Sequence, residues 1–139
     1  MLKATCLVWL ALLLWGCGGA RKPQADPVSE AMKQAVAGSA ARVEVVGRTD
    51  WEVAAERGEY WVSARLVNRG GAGKVAVRGA LKAMIPYVGI GVSPTEPSYI
   101  QMDAGETVQQ RLTGKIPARV ADKAIGCVVE VYPRAERAR

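Results

Sequence analysis

The sequence predicts an all-β fold, a single antiparallel sandwich of about seven strands behind an N-terminal leader. Two observations carry that expectation. From residue 17 onward the chain holds 17 Val and 5 Ile against 3 Leu, and β-branched residues suit a pleated sheet better than a helix. From Ala41 onward, apolar and polar residues alternate with period two between Gly-, Asn- and Asp-containing turns. That is the pattern of sheets solvated on one face. A closed barrel shows the same alternation and stands as the second architecture. The 139 residues suffice for one domain.

The first elements are not β. Residues 4–20 carry no charge, and Lys3 precedes them. A short positive start, an apolar run over 4–15 and a small residue at Gly16 are the layout of a secretory signal. An uncleaved membrane helix is the competing reading, but 17 uncharged residues sit at the short limit of a span, and three of the last five are Gly. Residues 18–27 then read as a polar tether. Next comes the single helix expected in the mature chain, over 28–37, with Asp26 as cap, Pro27 in the first turn and Gly38 as the stop.

The strands follow in order. Val43 and Val45 flank Glu44, and Trp51 and Val53 flank Glu52, ahead of a turn over 54–58. Residues 59–67 place Tyr60, Val62, Ala64 and Leu66 on one face and Trp61, Ser63, Arg65 and Val67 on the other. Asn68-Arg69-Gly70-Gly71 is the strongest turn signal in the chain. Residues 74–82 point Val75, Val77 and Leu81 inward, with Lys74, Ala76, Arg78 and Lys82 outward. Strands over 87–92, 98–102, 107–116 and 124–132 complete the set, with turns at 93–97 and 103–106, and a basic tail closes the chain.

The segment Leu14-Trp15-Gly16-Cys17 resembles the lipobox of bacterial lipoproteins. That resemblance implies cleavage before Cys17, a diacylglycerol on its thiol and a second acyl group on its new amino terminus. It implies a membrane partner held through lipid, and a place in the cell envelope. Where two membranes exist, it implies the outer one, facing the periplasm. The organisation expected is then leader 1–16; lipidated Cys17, tether and short helix 17–40; sandwich 41–133; and basic tail 134–139. Cys6 leaves with the leader and Cys17 is acylated, so Cys127 has no disulfide partner within the mature chain. It is expected to be a small buried hydrophobe.

Val67-Asn68-Arg69-Gly70 and the later turn Gly105-Glu106 are similar to the turns of FxLYD-type immunoglobulin-like domains of bacterial surface proteins. The resemblance covers residues 42–116. It implies an immunoglobulin-like sandwich that serves as an extracytoplasmic binding or spacing module without catalytic residues.

The chemistry-bearing residues point the same way. The chain has no His, which excludes imidazole catalysis and His-ligated metal. Gly70-Gly71-Ala72-Gly73 lacks the helix and Lys-Ser/Thr of a phosphate loop. Asp103 and Glu106 read as turn formers, and no Asp-x-Asp run supports calcium. No catalytic residue, metal or cofactor is expected. The net charge of +6, or +5 without Lys3, is spread singly along alternating strand positions. A nucleic-acid groove would need a basic stripe interleaved with aromatics, and none is expected. The candidate binding surface is Trp61 with Arg65 on one strand face, together with the loop over 93–98. That loop carries Pro94, Thr95 and Glu96 between Tyr87 and Tyr99. The function expected is a non-catalytic envelope module with a protein partner. The alternatives are an assembly accessory working by strand addition and an inhibitor of an envelope-attacking hydrolase.

Overall fold

The computed structural model describes residues 26–136. Within them, β1 (Val43–Ala54), β2 (Glu59–Asn68), β3 (Gly73–Ile85), β4 (Gly89–Pro94), β5 (Ser98–Met102), β6 (Thr107–Lys115) and β7 (Ala124–Tyr132) form two antiparallel sheets. One has the order β1-β2-β6. The other is built around β3, with β7 along one edge and β4 and β5 end to end along the other. Apart from one parallel bridge, Val43 to Arg134, no ladder among the described residues joins the sheets. The architecture is a sandwich and not a barrel.

The core follows from the period-two pattern. Tyr60, Val62, Ala64 and Leu66 of β2 are all buried, and they meet Val75, Val77 and Leu81 of β3 across the interlayer space. Burying each large aliphatic side chain stabilises the fold by about 1.5–3 kcal/mol. Gly114 is required where it stands, because a Cβ there would lie 2.5 Å from the Tyr60 ring. The Tyr60 hydroxyl donates to the Ser93 carbonyl of the other sheet.

Besides shifts of one or two residues at helix and strand ends, two features differ from the sequence expectation. β3 runs on to Ile85, and the strand expected over 87–92 begins only at Gly89. The reason is the turn between them: Pro86 has no N–H to give a ladder, Tyr87 takes a left-handed φ of 63°, and the Val88 N–H closes on the Ile85 carbonyl at 3.2 Å. The second difference concerns the outer face of β3. Ala76 and Arg78, expected to face water, are buried.

What buries them is α1 (Pro27–Ala35). The Asp26 carboxylate accepts from the Val28 N–H at 3.0 Å, Pro27 fills the first position, and Gly38 turns the chain away at φ 85°. Met32 and Val36, one turn apart on one face, are buried against Ala76 of β3 and Tyr132 of β7. A helix this short is marginal by itself. Here it is a third layer on the sandwich. At the other terminus the chain past β7 is also tied in, since Val43 donates to the Pro133 carbonyl at 2.8 Å and accepts from the Ala135 N–H at 2.9 Å.

Candidate functional site

The residues singled out in the sequence do not converge. Trp61 and Arg65 lie on the outer face of β1-β2-β6, where Trp61 is half-buried and Arg65 exposed. The Arg111 guanidinium of β6 stacks over the Trp61 ring, 4.5 Å from its centre. Pro94 and Tyr99 lie on the outer face of the opposite sheet, in register with Ala80 and Ala76 of β3. Tyr87 stands on the turn past Ile85, about 30 Å along β3 from the level of Tyr99. Glu96 is exposed between β4 and β5.

Thr95 sits inside the fold rather than on a rim. It is 5% exposed. Its hydroxyl accepts from the Gly79 N–H at 3.0 Å, and its own N–H donates to the Gly79 carbonyl at 2.8 Å. These bonds carry the ladder across the gap between β4 and β5, which draws the 93–98 loop down onto β3. The loop therefore offers no projecting segment at Thr95.

The most heavily bonded group of charges went unread in the sequence. Arg78 of β3 and Glu130 of β7 are directly opposed in the ladder, with the Arg78 Nε 2.5 Å from the Glu130 carboxylate. The same guanidinium bonds the Asp26 carboxylate at the start of α1. The Ser29 and Tyr132 hydroxyls each donate to Glu130 at 3.0 Å. Burial opposes the Arg78 charge, but hydrogen bonds to Asp26 and Glu130 outweigh it and raise its pKa. The Arg78 hydrogen bond, helped by the Val28 N–H, holds the Asp26 carboxyl below its ordinary value of 3.8. Every group here has a partner, so the cluster acts as a clasp that pins the first turn of α1. Both Arg78 and Glu130 occupy outward positions of alternating strands. Their sequence signal was no more than two opposite charges at outward positions of two alternating strands.

Comparison with protein-family models, curated proteins and solved structures finds no match to this chain. Its own geometry must carry the reading.

Cys127 points into the sandwich beside Leu81. Burial, with a smaller effect from Asp50, raises its thiol pKa, so little of it is the nucleophilic thiolate. Among the described residues no group of three or more Cys, Asp or Glu side chains is placed to hold a metal ion. No helix among them is long and apolar enough to cross a membrane. A hollow of about 960 Å³ opens on the flank where the edges of β1 and β7 face each other. Val43, Val45, Val129 and Val131 line its floor, and Arg42, Arg69, Arg134, Glu44 and Glu136 line its rim. Backbone N–H and C=O groups alternate sides along a strand. Since Val43 bonds away from β2, Val45 also presents its N–H and C=O to this flank.

Proposed function

We propose that the chain is an envelope lipoprotein whose acylated Cys17 displays the sandwich as a non-catalytic binding or structural module. The observation that carries this reading is the uncharged run closed by Leu14-Trp15-Gly16-Cys17, only eight residues (18–25) ahead of Asp26. The clasp adds support: it fixes the point where such a tether enters the fold, so a pull on the N-terminus is borne by Arg78 and Glu130 rather than by a loose helix. Cys17→Ser should abolish fatty-acid labelling of the protein in cells. Labelling that persists in that variant would remove the anchor from the reading.

A second reading, an accessory that takes up a partner's strand, is favoured by the open flank between β1 and β7. An added strand there would pair with Val45 while its side chains reached the valine floor. Val45→Pro deletes the outward N–H and leaves the alternate positions that pair with β2 in place. In-cell cross-linking followed by purification tests both readings together. A stoichiometric protein lost in Val45→Pro supports strand addition. A partner set indifferent to Val45→Pro but lost in Cys17→Ser supports anchored display alone.

A further inference from the structure

α1 covers only half of the outer face of the β3 sheet. Met32 and Val36 lie over Ala76 and Tyr132, and Asp26 lies over Arg78 and Glu130. Beyond that line the ladder brings Met84, Ile90, Val92 and Val128 together on the same outward face, all of them exposed. The turn extends the patch with Tyr87 and Val88, which are 109% and 78% exposed. Tyr87 holds φ 63° on this turn, an uncommon conformation for a bulky residue. An apolar patch of this kind marks a site of interaction.

We propose that this bare half is the surface on which the domain rests against an anionic lipid bilayer. The inference rests on the lipid-anchor reading above. Its first support is where the described chain begins. Asp26 borders the same hollow as Ala80, Lys82, Val92 and Val128, so residues 1–25 join the fold at the edge of the patch. Even fully extended at about 3.5 Å per residue, the stretch from Cys17 to Asp26 reaches about 30 Å. A bilayer holding Cys17 is therefore kept within about 30 Å of the edge of this face.

Charge supplies the second support. Residues 82–95 contain Lys82 and no carboxylate, and Arg119 and Lys123 flank Val88 and Val92 in the adjoining hollow, with Asp122 the one acid of that short helical turn. Cations beside apolar and aromatic tips suit a headgroup layer. A second copy fits less well, because a two-fold contact through this patch would bury two copies of Lys82 with no carboxylate from residues 82–95 to pair them. Residues 18–25, Gly-Gly-Ala-Arg-Lys-Pro-Gln-Ala, hold no large apolar side chain with which to cover it.

The test uses the full acylated chain in vesicles of phosphatidylethanolamine and phosphatidylglycerol that contain a photoactivatable phospholipid. Lipid adducts are mapped by mass spectrometry. Adducts should concentrate at 84–92 and 125–128 and spare the opposite face at 61–65 and 109–113. Joint replacement Val88→Ser and Ile90→Ser, at exposed positions, should reduce them several-fold with an unchanged circular-dichroism spectrum. Equal labelling of both faces, no labelling of 84–92, or chain-to-chain cross-links through 84–92 would each overturn the proposal. The Cys17 peptide in the same digest reports its acyl mass. If that mass is missing while 84–92 is labelled, the anchor fails and the surface stands.

Discussion

Two buried polar side chains tie separate stretches of the chain together, Asn68 at the end of β2 and Arg78 in the middle of β3. Asn68 is neutral and fully buried. Its oxygen accepts from the Arg42 and Gly70 N–H groups at 2.9 and 3.0 Å, and its amide donates to the Gly71 and Asp103 carbonyls at 2.9 and 3.0 Å. It joins the start of β1 to the β2–β3 and β5–β6 turns using all four of its bonding positions. Arg78 is charged, and it joins a helix to two strands through carboxylates, one of which is half-exposed. The neutral hub closes the sandwich itself. The charged hub holds an added layer onto it, so the first should be stronger and indifferent to pH, and the second weaker and sensitive to acid.

The largest effect is expected at Asn68. Asn68→Ala leaves the Arg42 and Gly70 N–H groups and the Gly71 carbonyl without this partner, at about 1 kcal/mol each, while the Asp103 carbonyl keeps the Glu106 N–H, so the loss should be about 3 kcal/mol in urea unfolding. A loss below about 1 kcal/mol would mean that water replaces the side chain and that the hub is not structural. Arg78→Met should come second at about 2 kcal/mol, below the range for a fully buried pair because Asp26 reaches water. Adding Glu130→Met should recover most of that loss, since an apolar pair leaves no uncompensated buried charge. If the double variant is worse than the single one, the other partners of Glu130, Ser29 and Tyr132, matter more than its charge.

These two hubs also mark what the sequence could and could not disclose. Asn68 was legible as a turn former, because Asn-x-Gly-Gly between two alternating strands has few other uses. Its two long-range bonds, to Arg42 and Asp103, were not legible. The inward face of β2 could be read residue by residue, since period two leaves one assignment once Leu66 and Tyr60 are placed inside. Arg78 was misplaced by the same rule. Alternation states which residues share a face but not whether a helix from another part of the chain covers it. The turn at Pro86 and Tyr87 was hidden in an uncharged, mostly apolar stretch from Ala83 to Val92, where Pro86, Gly89 and Gly91 each offered a break. The candidate surface suffered most. Trp61 and Tyr99 lie on the outward faces of opposite sheets, and the alternation within one strand carries no information about which sheet it joins.

The acid response separates the hubs more sharply than mutation does. The Asp26 carboxyl titrates below 3.8 in the fold, so its contribution is complete above that value and is lost as pH falls through the depressed one. Hydrogen-exchange protection in α1, relative to the intrinsic amide rate, should therefore fall below about pH 4 before that of β2 and β3 does. Asp26→Asn should remove this early step and leave α1 less protected at neutral pH, where Asp26 is ionised. Simultaneous loss of protection in α1 and β2 would show that the clasp is part of the main cooperative unit.

The smallest effect belongs to the outer face of β1-β2-β6, and it supplies the baseline for the other two. Arg111 stacks on Trp61 but is itself exposed. A cation over an aromatic ring at such a site contributes about 0.5 kcal/mol. Arg111→Ala should lose no more than that in urea, with no change of slope. The comparison depends on this value being small. Trp61 and Arg111 form one two-body contact in water, whereas Asn68 and Arg78 each hold several groups away from it. Should Arg111→Ala match Arg78→Met, the number of buried partners would not be what ranks these sites, and the stability assigned to the clasp would have to come from Met32 and Val36 packing on Ala76 and Tyr132 instead.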